Sequence, residues 1–277
     1  MTSPKINDNQ PQPPSAEVLK AFGIAAQPQW LPGGEGTSFV AGEVVLKPVT
    51  NDKEVQWRAE LLSQIKQDGF RVASHLTTTA GEWTADGWQA VLFIEGAEVK
   101  GQASEKIAIS RRFHKALETF PKPTFIDEAT HPWAVADRMV WDEQPLEYGQ
   151  VLQPSMSRLA ALLQPLQLSN QLIHGDMTGN ILFHESLPPA VIDFSPYWRP
   201  AEFATAVIIV DSIVWEGGAD ELIDELPNTP EMNQLLVRAA MWRIKTTEEF
   251  IRQFGKGNID DVQAYVHLIE LIWKRLK

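Results

Sequence analysis

Four polar residues set in a short apolar stretch carry the most chemistry in this sequence. The segment from Leu172 to Phe194 opens LIHGDMTGNILF, passes through a proline-containing turn and closes AVIDF. An apolar approach, a polar loop and two short apolar segments predict a hairpin displaying His174, Asp176, Asn180 and Asp193 at one end. Phosphoryl transfer to an alcohol needs a carboxylate near the attacking hydroxyl and oxygen ligands for magnesium. Asp176 has the type for the first task, and Asn180 and Asp193 have it for the second. Taken singly, each has a plainer reading. Asp and Asn in loops make turns and caps, and Asp193 after Val191 and Ile192 can simply end a strand. Their joint order and spacing outweigh those readings.

Display of these groups requires rigid elements around them. Ser15 caps a short helix running through Phe22, and Gly23 supplies its stop. Extended segments follow at Trp30–Leu31, Phe39–Ala41 and Val44–Val49, the last two joined by a turn at Gly42 and Glu43. A helix is predicted from Asp52 to Lys66, with Val55, Ala59, Leu62 and Ile65 at helical spacing. Strand character returns between Gly69 and Ile94, where Gly81, Asp86 and Gly87 punctuate a hairpin ending in the strand Ala90–Ile94. Beyond Gly101 the pattern is helical: Ser104–Leu117, Ser155–Leu168 with Pro165 distorting its end, Ala201–Trp215, Pro230–Phe254 and Ile259–Leu276. The division is a tail over residues 1–14, a sheet-rich N-lobe over 15–95, a linker at 96–101 and a helical C-lobe over 102–277. The fold class is α+β.

Two weaker signals lie near the start. Gly33-Gly34-Glu35-Gly36-Thr37-Ser38 sits between two predicted strands, where exposed backbone amides can approach phosphates or simply turn a hairpin. Lys47 ends the run VVLK and alone reads as an edge-strand lysine. No GxxxxGK[ST], GxSxG or HExxH pattern occurs, which disfavours a P-loop kinase and the simplest hydrolase and metalloprotease readings.

HGD followed by Asn and an apolar run, then IDF, resembles the signature of aminoglycoside phosphotransferase and choline kinase-like small-molecule kinases. The resemblance runs from about Trp30 to Glu216. It implies a bilobal protein-kinase-like fold, with a small antiparallel-sheet N-lobe covering ATP and a mostly helical C-lobe. By that resemblance Asp176 is the catalytic base or hydroxyl-orienting residue, Asn180 and Asp193 bind Mg2+, and His174 orders the loop. Gly34, Gly36 and Ser38 match the nucleotide-covering loop and Lys47 the phosphate-binding lysine, with Glu60 as its partner and Glu54 the runner-up. Phe93 and Ile94 fall where the family's hinge binds adenine through backbone groups, and Glu202 falls near a structural aspartate. Asp176 and Asn180 are four residues apart where the family usually has five, so Gly179 is expected to let the shortened loop compensate. Tyr197 and Trp198 either touch the acceptor or pack the loop.

Composition narrows the remaining classes. The chain has 277 residues, 44% apolar and 22% charged, as in ordinary globular proteins. It has no cysteine, which excludes disulfides, thiolate metal sites and cysteine nucleophiles. A polar, proline-rich opening lacks the features of a secretory signal, and the longest apolar run, Phe203–Trp215, is interrupted by Asp211 and shorter than a membrane span. A soluble, cytoplasmic protein is expected. The formal net charge of -12 argues against nonspecific nucleic-acid binding and serves either solubility or an acidic groove for a cationic acceptor. The expected function is ATP- and Mg2+-dependent transfer of the γ-phosphoryl group to a hydroxyl of a small molecule. A nucleotide-binding regulatory pseudokinase is the alternative, and a protein kinase is disfavoured by the lack of an evident APE-type segment.

Overall fold

The computed structural model describes residues 11–32 and 36–277. Gly34, with Gly33, Glu35 and the first ten residues of the expected tail, lies outside the described residues. The chain divides into two compact units, one reaching Lys66 and resuming over Arg71–Gly96, the other formed by Gln67–Phe70 and Ala97–Lys277. Residues 67–70 join the second unit through contacts within it: Gly69 lies against Arg112, and Phe70 meets Phe113 edge to face, centroids 5.4 Å apart.

The first unit begins with α1 (Ala16–Ala21), where the Ser15 hydroxyl accepts from Val18 N at 3.3 Å and Gly23 adopts a left-handed φ of 68°. Strands β1 (Gln29–Trp30), β2 (Phe39–Ala41) and β3 (Val44–Pro48) precede α2 (Asp52–Gln64). The Asn51 side chain caps α2 by accepting from Glu54 N. Then come β4 (Arg71–Val72), β5 (His75–Leu76), β6 (Thr84–Ala85) and β7 (Trp88–Leu92). The antiparallel sheet runs β1-β2-β3-β7-β5, with β6 also on β7. Its buried face and α1 share a core of Val18, Leu19, Phe22, Ala41, Leu46 and Ala90. The last strand covers Trp88–Leu92 rather than the expected Ala90–Ile94. Gly87 turns the chain at a φ of 74°, so pairing with β3 starts at Trp88 and ends at Leu92 opposite Val44.

The second unit opens with β8 (Ala97–Glu98), α3 (Ala103–Leu117), α4 (Phe125–Glu128), α5 (Pro132–Val140) and α6 (Gln153–Ala160). It continues with β9 (Gln171–His174), β10 (Ile181–Phe183), β11 (Ala190–Val191) and β12 (Pro196–Arg199). The remainder comprises α7 (Ala201–Trp215), a 3-10 turn at Asp220–Glu225, α8 (Pro230–Phe254), a 3-10 turn at Ile259–Ala264 and α9 (Tyr265–Arg275). The helix expected over Ser155–Leu168 stops at Ala160, short of Pro165. That expected over Ile259–Leu276 is a 3-10 turn followed by α9.

Two β pairs position the polar loop. β9 runs antiparallel to β12 with His174 opposite Pro196, and β10 pairs with β11 through Ile181 opposite Val191. Behind them, α7 is buried at every position from Phe203 to Ser212, as a helix that is apolar all round must be. Each such Val, Ile or Phe contributes about 1.5–3 kcal/mol relative to exposure. α8 packs against α7 and α5. Thr229 caps α8 by accepting from Met232 N, Pro230 follows the cap, and Gly255 ends the helix at φ 63°.

Candidate active site

His174 is the centre from which the site is built. At the end of β9 it is fully buried, and its ring reaches three chain segments. Nδ1 accepts from the backbone N–H groups of Asp176 at 3.2 Å and Ser195 at 3.4 Å, so the proton must sit on Nε2. That N–H donates to the Ile192 carbonyl at 3.1 Å. One imidazole thus joins the Asp176 turn to the segment bearing Asp193. The His174 backbone N–H in turn donates to His114 Nε2 at 3.0 Å, and His114 Nδ1 meets Ser110 Oγ at 3.1 Å. Burial, with the neighbouring His174 second, pushes His114 down to about 3.

Gly175 is there for space. A Cβ at this position would lie 2.6 Å from Tyr197 Cε2 and 3.2 Å from Trp242 Cη2. Tyr197 is buried and meets Trp242 edge to face at 5.2 Å. Tyr197 thus packs the loop, whereas Trp198 is half-buried.

Asp176 emerges from this packing half-exposed, its side chain at 37%. Arg243 of α8 donates to Oδ1 at 2.6 Å, and Asn180 Nδ2 approaches Oδ2 at 3.3 Å. Burial pushes the Asp176 carboxyl up, but the Arg243 charge and hydrogen bond, with His174, outweigh it and hold it below the usual range. Arg243 also donates through Nε to Asp211 Oδ1 at 2.9 Å and through Nη2 to Asp211 Oδ2. Thr178 Oγ1 donates to Asp211 Oδ2 at 2.9 Å. The guanidinium lies over Trp133 and Trp242, 5.1 and 4.8 Å from their ring centroids. Burial alone would push its pKa down, but Asp211 and Asp176 reverse that and keep it charged.

The shortened loop closes without glycine geometry. Asn180 N donates to the Met177 carbonyl at 3.1 Å, and Asn180 Nδ2 reaches back to the Asp176 carbonyl at 2.7 Å. Gly179 has no left-handed φ, and a Cβ there would meet only Glu98 Oε1 at 3.8 Å, so the expected compensation is not what closes the turn. Ile192 N donates to the Asn180 carbonyl at 3.0 Å, tying the two loops a second time. Asp193 follows in a left-handed conformation, φ 50°, with Ser195 Oγ donating to its carbonyl. Asp tolerates that region better than most residues, and such backbone strain concentrates at functional sites.

The donor set suits magnesium. With the Asn180 amide nitrogen fixed on Asp176, its oxygen is the end that can serve as a ligand, and Asp193 supplies a carboxylate. Among the described residues no three His, Cys, Asp or Glu side chains converge as a metal cage. One carboxylate plus an amide matches a cation that keeps waters and takes substrate phosphates as further ligands.

In the first unit, Lys47 sits on β3 opposite Gln89 of β7. Burial, then the charges of Arg58 and Lys47, push His75 of β5 down to about 4, so these three groups form one basic neighbourhood. Glu60 is exposed and accepts from Gln56 Nε2 at 2.9 Å, while Glu54 pairs with Arg58 at 2.7 Å. Gly36 has a φ of 69°, and its carbonyl accepts from Trp30 Nε1; the Ser38 carbonyl accepts from Leu31 N. Phe93 and Ile94 lie beyond β7, and the Phe93 N–H is already donated to the Glu43 carbonyl at 2.7 Å.

Sequence reasoning missed Asp211, Thr178, Arg243 and His114. It placed the structural carboxylate near Glu202, which is exposed in the first turn of α7; Asp211, farther along that helix, braces the loop instead. A signal was present. A lone Asp inside a fully apolar helical run must be paired once buried.

No family model matches the sequence, and no curated protein matches it either. Solved structures do. A spectinomycin phosphotransferase, APH(9)-Ia, in complex with ADP and spectinomycin is similar at TM-score 0.57 and 14% identity, over 94% of this chain and 96% of that one. The aminoglycoside phosphotransferase APH(4)-Ia gives 0.62 and 15% over 94% and 97%. ADP-bound APH(2'')-Ib gives 0.54 and 16% over 95% and 97%. At these identities the likeness is one of fold: the chain has the protein-kinase-like α+β fold of the aminoglycoside phosphotransferases.

Proposed function

We propose that this protein transfers the γ-phosphoryl group of Mg–ATP to a hydroxyl of a small molecule. The observation that carries the reading is the double tie between the Asp176 turn and the Asp193 segment, through the His174 ring and the Asn180 carbonyl. It joins a half-exposed carboxylate to an amide and a second carboxylate, the three groups that reaction needs. Solved neighbours that hold ADP on the same fold support the nucleotide part.

In this reading Asn180 and Asp193 hold Mg2+, which neutralises charge on the phosphates when bound. Within the first unit, Lys47 is the candidate for neutralising phosphate charge, and the backbone groups of Gly36, Ser38 and Ile94, with the Phe93 carbonyl, are the candidates for nucleotide contact. Asp176 accepts the acceptor's hydroxyl hydrogen bond. The alcohol oxygen bonds to the γ-phosphorus as the bond to the ADP oxygen breaks, and the alcohol proton leaves through Asp176 to solvent. Because Arg243 lowers the basicity of Asp176, orientation is its larger task, in keeping with a transition state that needs little proton transfer. A cysteine-free, ATP-using enzyme fits the cytoplasm.

A protein that binds nucleotide without turnover is the second reading, favoured by the fact that Arg243 already holds one Asp176 oxygen. The test is ADP formation from Mg–ATP across a panel of hydroxyl compounds, with product mass, beside calorimetry. Lys47→Ala and Asp193→Ala should each weaken Mg-dependent ATP binding. Binding without ADP formation selects the second reading; no binding at any magnesium concentration rejects both.

A further inference from the structure

We propose that Arg243 is the positioning residue of this site: it grips Asp176 by Oδ1, so that Oδ2 is the oxygen presented to the acceptor hydroxyl. This rests on the phosphotransferase reading above.

The two oxygens of Asp176 are not equivalent. Oδ1 receives a charged donor at 2.6 Å, whereas Oδ2 has the amide of Asn180 at 3.3 Å, and the side chain stays partly exposed. A carboxylate gripped at one oxygen loses its freedom to rotate, and the other oxygen then points in a fixed direction. Fixing that direction before the acceptor arrives is worth much in rate, since a misplacement of about 1 Å can cost about 10²-fold.

Arg243 can do this because it is itself held on several sides. Two of its nitrogens engage Asp211, its plane lies over Trp133 and Trp242, and Asp176 takes the remaining contact. Its supports are fixed in turn: Trp242 Nε1 donates to the Trp133 carbonyl at 3.0 Å, and Thr178 Oγ1 donates to Asp211. Thr178 belongs to the same turn as Asp176, so Asp211 and Arg243 clamp both ends of a three-residue stretch onto α7 and α8. Tyr265, at the start of α9, adds its hydroxyl to the surroundings, and that hydroxyl accepts from Trp215 Nε1 at 3.0 Å. A buried ion pair of this kind gives little net stability relative to apolar packing. Retaining a forked, stacked arginine here makes sense as geometry, which lysine cannot reproduce.

The test is a double-mutant cycle on turnover of Mg–ATP, with water or the best alcohol of a hydroxyl panel as acceptor. Arg243→Lys keeps the charge and loses the fork. We expect kcat to fall by about 10²-fold while KM for ATP and the Kd of Mg–AMP-PNP stay within about two-fold. In an Asp176→Asn background the same substitution should cost less than about two-fold, because its effect passes through Asp176. Equal losses in both backgrounds, or a raised KM with kcat unchanged, would overturn the proposal. If Arg243→Lys does not fold by its melting curve, Arg243→Gln with Asp211→Asn removes both buried charges together and is judged by the same criterion. Wild-type protein that never turns over Mg–ATP overturns the phosphotransferase reading and this one with it; additive losses overturn this one alone.

Discussion

Between about pH 7.5 and 5, acid should loosen the second unit through His114. Its ring is fully buried, accepts the His174 N–H at Nε2 and has Ser110 Oγ at Nδ1, and the Phe113 ring stands edge to face beside it at 5.8 Å. Protonation would convert that acceptor into a donor facing another donor. Burial first, and His174 second, lower its pKa from the ordinary 6.5 to about 3. The folded protein therefore keeps His114 neutral where the unfolded chain binds a proton. Its contribution is complete above 6.5 and is lost as pH falls, at roughly 1.4 kcal/mol per pH unit until about 3. Between about pH 7.5 and 5 the loss is about 2 kcal/mol, or about 4–8 °C in Tm for a domain of 150–250 residues. Urea denaturation followed by tryptophan fluorescence at both pH values measures it, and His114→Gln serves as the reference because its amide can accept from His174 without titrating. The variant should be less stable than wild type at the higher pH and show a shallower fall on acidification. His75, lowered to about 4, adds its own acid loss in the first unit, but both proteins share it. An identical fall in wild type and His114→Gln would refute the reasoning.

Asp176→Asn should lower turnover by about 10²–10⁴-fold, the usual range for a group acting on the proton of a reacting hydroxyl. ATP affinity should stay close to wild type, while Tm should fall because Arg243 loses one of its two charged partners; an ATP-binding variant with near-normal turnover would remove Asp176 from the chemistry. Gly175→Ala forces a methyl to within 2.6 Å of Tyr197 Cε2, so it should cost about 1–3 kcal/mol of stability. Tyr197→Ala in the same chain should recover part of that loss in a thermal melt, and a fully additive penalty would contradict the steric account.

The sequence was most legible where local rules and tertiary demands agree. α7 and α8 have the limits read from their patterns because Pro200, Thr229 with Pro230, and Gly255 punctuate their ends. The four polar residues of the loop stood out by type and order, and the structure ties their two segments together through the His174 ring and the Asn180 carbonyl. α5 was not, since its cap is His131, whose Nδ1 accepts from Ala134 N in place of the usual Ser, Thr, Asp or Asn oxygen. Missing α5 also hid Trp133, one face of the stack around Arg243. Phe93 and Ile94 looked like strand because they are apolar, yet the paired register with β3 ends at Val44 opposite Leu92, and beyond it Phe93 N makes a single bond to the Glu43 carbonyl in the turn.

Asp211 and Arg243 expose a more general limit. Each breaks the pattern of its own helix, an acid in a run of Val and Ile, and a base after Ala-Ala-Met-Trp. Helical periodicity treats such breaks as noise, because it asks only which face a residue occupies. Buried charge asks a different question, namely where the partner is, and one without a partner costs several kcal/mol. Two opposite charges on two buried helices therefore predict each other, since neither helix could be buried with its charge unpaired. Here the pair meets at the turn that holds Asp176, and that is where the Arg243 fork has a third bond to make. Asp211 and Arg243, which disturb the core pattern of α7 and α8, thus connect the core to the candidate site.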